Sequence, residues 1–143
     1  MTVGYSGTPL SKKLGIKGGF TILTVDAPDD YSSLVAPLPM GAEITNVYLH
    51  TLANAKSGVD LIHLFTNSRD DLFHSLPLLQ NLIKQDGSIW VSWYKKAAKL
   101  PTEVTEDTIR EACLPIGLVD VKVCAVDEKW SGLKLVIRKE NRA

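Results

Sequence analysis

The chain has 143 residues, of which 45% are hydrophobic and 22% are charged, as is typical of one globular domain. We therefore predict a single domain over residues 1–143. Sixteen basic residues balance sixteen acidic ones, so the overall charge does not favour nucleic acid as a partner. No apolar run approaches the roughly 20 residues that a membrane-spanning helix needs, and the N-terminal residues lack the apolar core of a signal peptide. These features predict a cytoplasmic protein that does not contact a membrane.

The cysteines and histidines do not have the spacing of a metal site. Cys113 and Cys124 are expected to be buried free thiols, because a cytoplasmic location disfavours a disulfide. His50, His63 and His74 fall in three different predicted elements, which argues against zinc. His63 stands in an otherwise apolar strand, so we interpret it as a core histidine rather than a base. We predict neither a metal nor a cofactor.

The first predicted elements are a short helix and a buried strand. Thr8 is a favourable N-cap, Pro9 suits the first helical position, and Gly15 suits the left-handed residue after the helix. Residues 20–26 form an apolar, β-branched run that is typical of a buried parallel strand. The Gly-x-Ser-Gly pattern of Gly4–Gly7 is rejected as a serine nucleophile elbow, because too few residues precede it to form the required strand.

Two further strands are predicted near residues 43–49 and 59–66. The connection between them is at the lower limit for a parallel crossover, so the direction of the first of these strands stays open. It either crosses in extended form to run parallel, or runs antiparallel at a sheet edge.

A helix with a proline inside it should follow these strands. Ser68 and Asp71 have the spacing of a capping box, and apolar residues then recur at helical intervals. Pro77 should kink or split this helix, and the Gln-Asp-Gly sequence at 85–87 should end it. The next strand is expected at 88–93.

A second helix and a hairpin complete the predicted fold. Thr105 should cap a helix that has Glu106 and Asp107 in its first turn. Residues 119–127 and 133–140 alternate around the turn "EKWSG" and predict a β-hairpin, with Gly132 making the turn. Strands that alternate with helices indicate a three-layer α/β domain with a mostly parallel sheet of five to six strands.

The stretches "GVDLIHLF", "LLQNLIKQDGSIWVSW" and "GLKLVIRKE" together resemble the C-terminal half of class I S-adenosylmethionine-dependent methyltransferases. The resemblance implies a Rossmann-like sheet that ends in an antiparallel hairpin. The chain ends, "GYSGTPLSKKLGI" and "KVCAVDEKWSGLKLVIRKE", are also similar to a family of short bacterial proteins of unknown function. That second likeness implies no activity.

The front half departs from the methyltransferase pattern where the cofactor would bind. The glycines of the family's first loop fall on Asp26, Pro28 and Asp30, which do not give the close backbone approach that glycine allows. The second strand ends in Tyr48 and its neighbours rather than in the acidic residue that binds ribose hydroxyls in the family. The family's helix, strand and helix on the adenine side are missing. The resemblance therefore implies a truncated methyltransferase-like fold that has lost its nucleoside pocket.

Two groups of residues at predicted strand ends remain as candidate binding sites. Ligands of open parallel sheets bind at this edge, and lysines next to a helix N-terminus and aromatic rings could hold an anion. The members of this first group are Thr66, Asn67, Ser68, Trp93, Tyr94, Lys95, Lys96 and Lys99. The second group, Asp127 and Trp130, is a candidate interaction surface at the hairpin turn. A solvated lysine loop and a Trp folded over the sheet edge are the simpler alternatives.

The sequence favours a non-catalytic methyltransferase-like domain that acts as a small binding or protein-interaction module. Its partner would be another protein or a second copy of the chain. The alternative is a small enzyme or binding protein for a phosphate-bearing metabolite that uses the Lys95/Lys96 loop, although the sequence offers no convincing nucleophile or paired base. A divergent S-adenosylmethionine-dependent methyltransferase is the third possibility.

Overall fold

The structure is a computed structural model that describes residues 8–142, so the Gly4–Gly7 pattern lies outside the described residues. Within them, six strands form one sheet, and α-helices pack on both of its faces. The strands are β1 Thr21–Val25, β2 Glu43–Val47, β3 Val59–Phe65, β4 Ile83–Tyr94, β5 Leu118–Ala125 and β6 Trp130–Ile137. The α-helices are α1 Leu10–Leu14, α2 Tyr31–Leu34, α3 Arg69–Leu82 and α4 Glu106–Cys113. Short 3-10 helices occupy Leu49–Asn54, Lys96–Ala98, Leu114–Ile116 and Lys139–Asn141.

The strand order is β2-β1-β3-β4-β6-β5. Among the described strands, only the two pairs that include β6 are antiparallel, and the other three pairs are parallel. This confirms the predicted mostly parallel α/β sheet with a closing antiparallel hairpin. It also decides the direction of β2, which pairs with β1 in parallel. The compact 3-10 helix Leu49–Asn54 lies in the connection that carries the chain from β2 past β1 to β3.

The two faces of the sheet are covered unequally. On one face, α3 and α4 pack on a large core that includes Ile62 of β3 and Leu76 of α3. On the other face, the short helices α1 and α2 cover a smaller cluster around Trp90. The indole N–H of Trp90 donates to the carbonyl of Leu14 at 3.0 Å, which fixes the end of α1 against the sheet. Because α1 and α2 have only five and four residues, this second face is thinly covered.

The helix boundaries differ from the predictions in two places. Helix α1 begins one residue later than predicted, with Pro9 at the cap position, and ends at Gly15 with a φ of 82°. Pro77 lies inside α3 without splitting it. The predicted helix end at 85–87 is wrong, because the chain enters β4 at Ile83, where it pairs with Val59 of β3. The residues between Ile83 and Ser88 form an irregularity in this pairing, so Gln-Asp-Gly lies within the strand segment.

The hairpin turn lies earlier than predicted. Asp127 Oδ1 accepts hydrogen bonds from the backbone N–H groups of Lys129 and Trp130, at 2.8 Å and 2.9 Å. These bonds close the turn before Trp130, which is already the first residue of β6. Gly132 is therefore not a turn residue. It lies where an added Cβ would come within 3.1 Å of the Trp90 ring, so it serves close packing.

Candidate functional site

The loops after β1 and β2 are tied to each other by hydrogen bonds. Asn46 Oδ1 accepts from the hydroxyl of Thr24 at 2.7 Å and from the N–H of Ala27 at 3.3 Å. Asp26 Oδ1 accepts from the N–H of Leu49 at 3.4 Å. Asp26 also has a φ of 55°, the left-handed conformation for which glycine is the usual residue. In both loops, a backbone N–H group therefore already donates a hydrogen bond to a side-chain oxygen of the protein itself.

The space beside these loops is small. It has a volume of about 230 Å³ and includes Pro28, which has no N–H to offer a ligand, and Asp29. Tyr48 also lines it, and its ring stacks on that of His50 with the centroids 5.8 Å apart. Sites for drug-sized ligands usually measure about 300–1,000 Å³. The space beside the loops after β1 and β2 is thus smaller than such sites usually are.

The N-terminus of α3 already has acceptors from within the chain. The hydroxyl of Ser68 accepts from the N–H of Asp71 at 3.2 Å, which is one of the two hydrogen bonds of the predicted capping box. Glu103 Oε1 accepts from the N–H of Arg69 at 2.9 Å, and Thr66 Oγ1 accepts from the N–H of Ser68 at 3.2 Å. A carboxylate of the protein therefore lies where the sequence suggested a bound anion.

The groove that the predicted lysines Lys95 and Lys96 line does not include residues of that helix start. Asn67 Oδ1 accepts from the N–H of Tyr94 at 2.7 Å and so joins the loops after β3 and β4. Lys95 and Lys96 instead line an open groove of about 390 Å³ beside α4, and Lys99 is not part of its lining. The lining residues are Trp93, Lys95, Lys96, Thr105, Glu106, Asp107 and Ser131. The lysines thus face acidic residues of the first turn of α4, and an anion site on them stays a prediction.

Asp127 and Trp130 lie together in a groove that also includes the loop after β1. We call it the Trp130 groove; its volume is about 340 Å³. It is lined by Pro28, Asp30, Leu34, Asp127, Glu128, Lys129 and Trp130. Three carboxylates and one ammonium group therefore surround an indole ring. The sequence did not indicate that the β1 loop and the hairpin turn would meet.

The ring of Trp130 is held by two other aromatic rings. It stands perpendicular to Phe65 with the centroids 4.9 Å apart, and it is tilted against Tyr94 at 4.5 Å. Trp130 is half-buried, so its ring is anchored on the sheet and still contributes to the groove wall. The ring therefore packs on the sheet and also lines a surface groove, and its role as an interaction surface stays a prediction.

A buried chain of three polar side chains lies beneath this face of the sheet. The Tyr31 hydroxyl is 2.9 Å from His63 Nδ1, and His63 Nε2 is 2.7 Å from Ser92 Oγ. All three residues are buried, and burial lowers the pKa of His63 to about 3 and raises that of Tyr31. His63 is therefore the neutral, hydrogen-bonded core histidine that its apolar strand indicated. Its partners were not predictable, because they come from distant parts of the sequence.

The metal-ligating and thiol side chains of the described residues are not clustered around a metal position, and both cysteines are free. Within residues 8–142, no group of three or more His, Cys, Asp or Glu side chains is arranged to hold a metal ion. Cys113 is a buried free thiol whose pKa burial raises to about 11, and Cys124 is free and half-buried. None of the helices in the same residues is long and apolar enough to cross a membrane.

Comparison with known families gives one match. The model of the family described as "Protein of unknown function (DUF3052)" matches residues 12–139, nearly the whole chain. No curated protein matches the sequence.

Solved structures with a similar fold include methyltransferases. A S-adenosylmethionine-dependent methyltransferase from Aquifex aeolicus is similar with a TM-score of 0.67 and 13% identity, over 94% of this chain and 90% of that one. Fibrillarin from Aeropyrum pernix, with natively bound S-adenosyl-L-methionine, has a TM-score of 0.62 and 13% identity over 93% and 70% of the two chains. The ribosomal protein L11 methylase from Lactobacillus delbrueckii has a TM-score of 0.53 and 15% identity over 89% and 74%. At these identities the likeness establishes a methyltransferase-like Rossmann fold and nothing further.

Proposed function

The chain belongs to the DUF3052 family, whose function is unknown, and we propose that it is a non-catalytic methyltransferase-like module that binds a protein partner. The partner presents a lysine or arginine side chain to the Trp130 groove. The observation that carries this proposal is the meeting of the β1 loop and the hairpin turn around one anchored indole ring.

The hydrogen bonds and charges of the loops after β1 and β2 support a role without methyl transfer. Asp26 and Asn46 already accept hydrogen bonds from the loops that follow β1 and β2. Pro28 removes a further backbone donor at the same bend. A ligand with a carboxylate would also meet Asp29 and Asp30, whose charges repel it. The fold is retained while the loops that would hold an adenosyl ligand contain unfavourable groups.

The composition of the Trp130 groove supports a cationic partner. Asp30, Asp127 and Glu128 outnumber the single positive charge of Lys129, so the groove favours positive charge. A lysine or arginine head group over an indole face gains about 0.5–2 kcal/mol from the cation–π interaction. A rigid aromatic residue beside carboxylates is therefore a suitable anchor for a basic side chain of a peptide or protein.

A peptide-binding experiment with matched variants tests this role. A fluorescent peptide library with a central Arg or Lys is titrated against the parent, and the same peptides with Gln at that position serve as ligand controls. The variants are Trp130→Ala and the double variant Asp30→Asn/Glu128→Gln, which leaves the turn-forming Asp127 intact. Glu43→Gln, an exposed carboxylate on β2, is the matched protein control.

The proposal expects basic peptides to bind the parent and Glu43→Gln, and to lose at least about tenfold in affinity with both groove variants. It is wrong if no basic peptide binds better than its Gln counterpart. It is also wrong if sedimentation shows that the groove is covered by a second copy of the chain, with Trp130→Ala turning a dimer into a monomer.

A second candidate function rests on the groove beside α4. Lys95 and Lys96 come directly after β4, at the edge of the sheet where ligands of this architecture bind. They could hold a phosphate-bearing metabolite, with Trp93 beneath them. If so, the double variant Lys95→Gln/Lys96→Gln loses anion binding that the parent has.

A further inference from the structure

Three lysines meet on the thinly covered face of the sheet, away from the Trp130 groove. In the antiparallel pairing of β5 with β6, Lys122 lies directly opposite Lys134. Lys17, which follows α1, is the third member of this lysine patch. Like charges that stand directly opposite each other on neighbouring strands destabilise a sheet. The patch is therefore unfavourable for folding as it stands.

Lys134 is the most constrained of the three. It is half-buried, and its Nζ would lie 3.7 Å from a Cβ placed on Gly15, so it is packed against the end of α1. Burial lowers the pKa of Lys134, and the positive charges of Lys122 and Lys17 lower it further. Lys122 Nζ donates to the backbone carbonyl of Lys13 at 3.3 Å, which keeps it over the same end of α1.

Other basic side chains of this protein form ion pairs with carboxylates. Lys84 pairs with Asp60 at 2.8 Å, and Arg110 pairs with Asp120 at 3.0 Å. Within residues 8–142, no carboxylate forms such an ion pair with a member of the lysine patch. In the described part of the chain, these three ammonium groups thus have no carboxylate paired with them.

We propose that Lys17, Lys122 and Lys134 form a binding site for a phosphate-bearing anion. Ammonium groups act as mobile point charges that suit phosphate oxygens, and an anion between them removes the repulsion across β5 and β6. Lys134 is four residues along β6 from Trp130, or about 13 Å, so the site is separate from the groove. The protein therefore has an anion site and a cation groove on one face of the sheet.

Thermal unfolding with inorganic phosphate and pyrophosphate tests the site. Each anion is compared with chloride at equal ionic strength and pH 7, because salt alone screens repulsion between lysines. The patch variant is Lys17→Gln/Lys122→Gln, which changes two exposed positions. Lys134→Gln is a second variant, and Lys56→Gln/Lys139→Gln, two exposed lysines outside the patch, is the matched control.

Pyrophosphate is expected to raise the melting temperature of the parent and of the control, and to bind the patch variant about tenfold more weakly. In chloride, Lys134→Gln should unfold at the same temperature as the parent or a higher one. The proposal is overturned if neither anion shifts the parent relative to chloride, or if the parent and the patch variant shift equally. It is also overturned if Lys134→Gln unfolds at a lower temperature than the parent in chloride. A third contradicting result is that the patch variant loses binding of a single-stranded DNA 12-mer but not binding of pyrophosphate.

Discussion

Acidification tests the buried chain of Tyr31, His63 and Ser92. In the folded protein His63 is fully buried with a pKa of about 3, whereas the unfolded chain takes up the proton near 6.5. Below pH 6.5 the unfolded state therefore binds one proton that the folded state does not, and stability falls as the pH decreases towards 3. The slope is about 1.4 kcal/mol per pH unit, so the contribution of His63 to the free energy of unfolding decreases by about 2 kcal/mol between pH 7 and pH 5.

Urea unfolding at pH 7, 6 and 5 measures this slope in the parent and in two variants. His63→Gln is less stable at every pH, because Tyr31 and Ser92 lose their buried partner, but it should lack the slope that His63 causes. His74→Gln changes an exposed histidine and should keep the slope of the parent. The reasoning fails if all three proteins have the same slope. If His63→Gln does not fold, NMR decides the matter, since a His63 imidazole that titrates between pH 5 and 8 contradicts the account.

Three further predictions concern single positions. Gly87→Ala should destabilise the protein by about 1–3 kcal/mol in urea unfolding, because the new Cβ would lie 2.8 Å from the backbone carbonyl of Asp60; an unchanged midpoint would refute this. At Gly58 an added Cβ would meet no atom within 4 Å, but φ is 80°. Gly58→Ala should therefore lower the free energy of unfolding by about 1 kcal/mol from backbone strain alone, and a larger decrease than that of Gly87→Ala would contradict this reasoning. Glu103→Ala should lower stability by about 1 kcal/mol, because the Arg69 N–H loses its acceptor at the start of α3; equal stability would show that water replaces the carboxylate.

The elements of the fold were predictable because local patterns specify them. The β-branched run of β1 and the caps of α3 and α4 depend on residues that are close in sequence. The hairpin turn was placed wrongly because Gly132 has the residue type of a turn, whereas its role is to leave room for the ring of Trp90. The end of α3 was placed wrongly because pairing between Ile83 and Val59 takes the chain into β4 before the glycine is reached.

The candidate site was less predictable because it depends on contacts between distant segments. Glu103 accepts from Arg69 across 34 positions, and no local pattern signals that a carboxylate will reach the start of α3. The Trp130 groove joins residues near 30 with residues near 130. Sequence reasoning identified Asp127 and Trp130 individually, while their acidic neighbour Asp30 required the three-dimensional arrangement.

The measurement that tests the central claim most directly is thermal unfolding with S-adenosylmethionine and S-adenosylhomocysteine at about millimolar concentration. A ligand present at 100 times its Kd adds about 2.7 kcal/mol to the stability of the folded state, which raises the melting temperature by several degrees. The account predicts no shift with either compound, because the loops after β1 and β2 are tied to each other through Asp26 and Asn46. A shift of several degrees with either compound would contradict the account. It would mean that the loop after β1, with Asp26 and Pro28, is part of a rebuilt cofactor pocket.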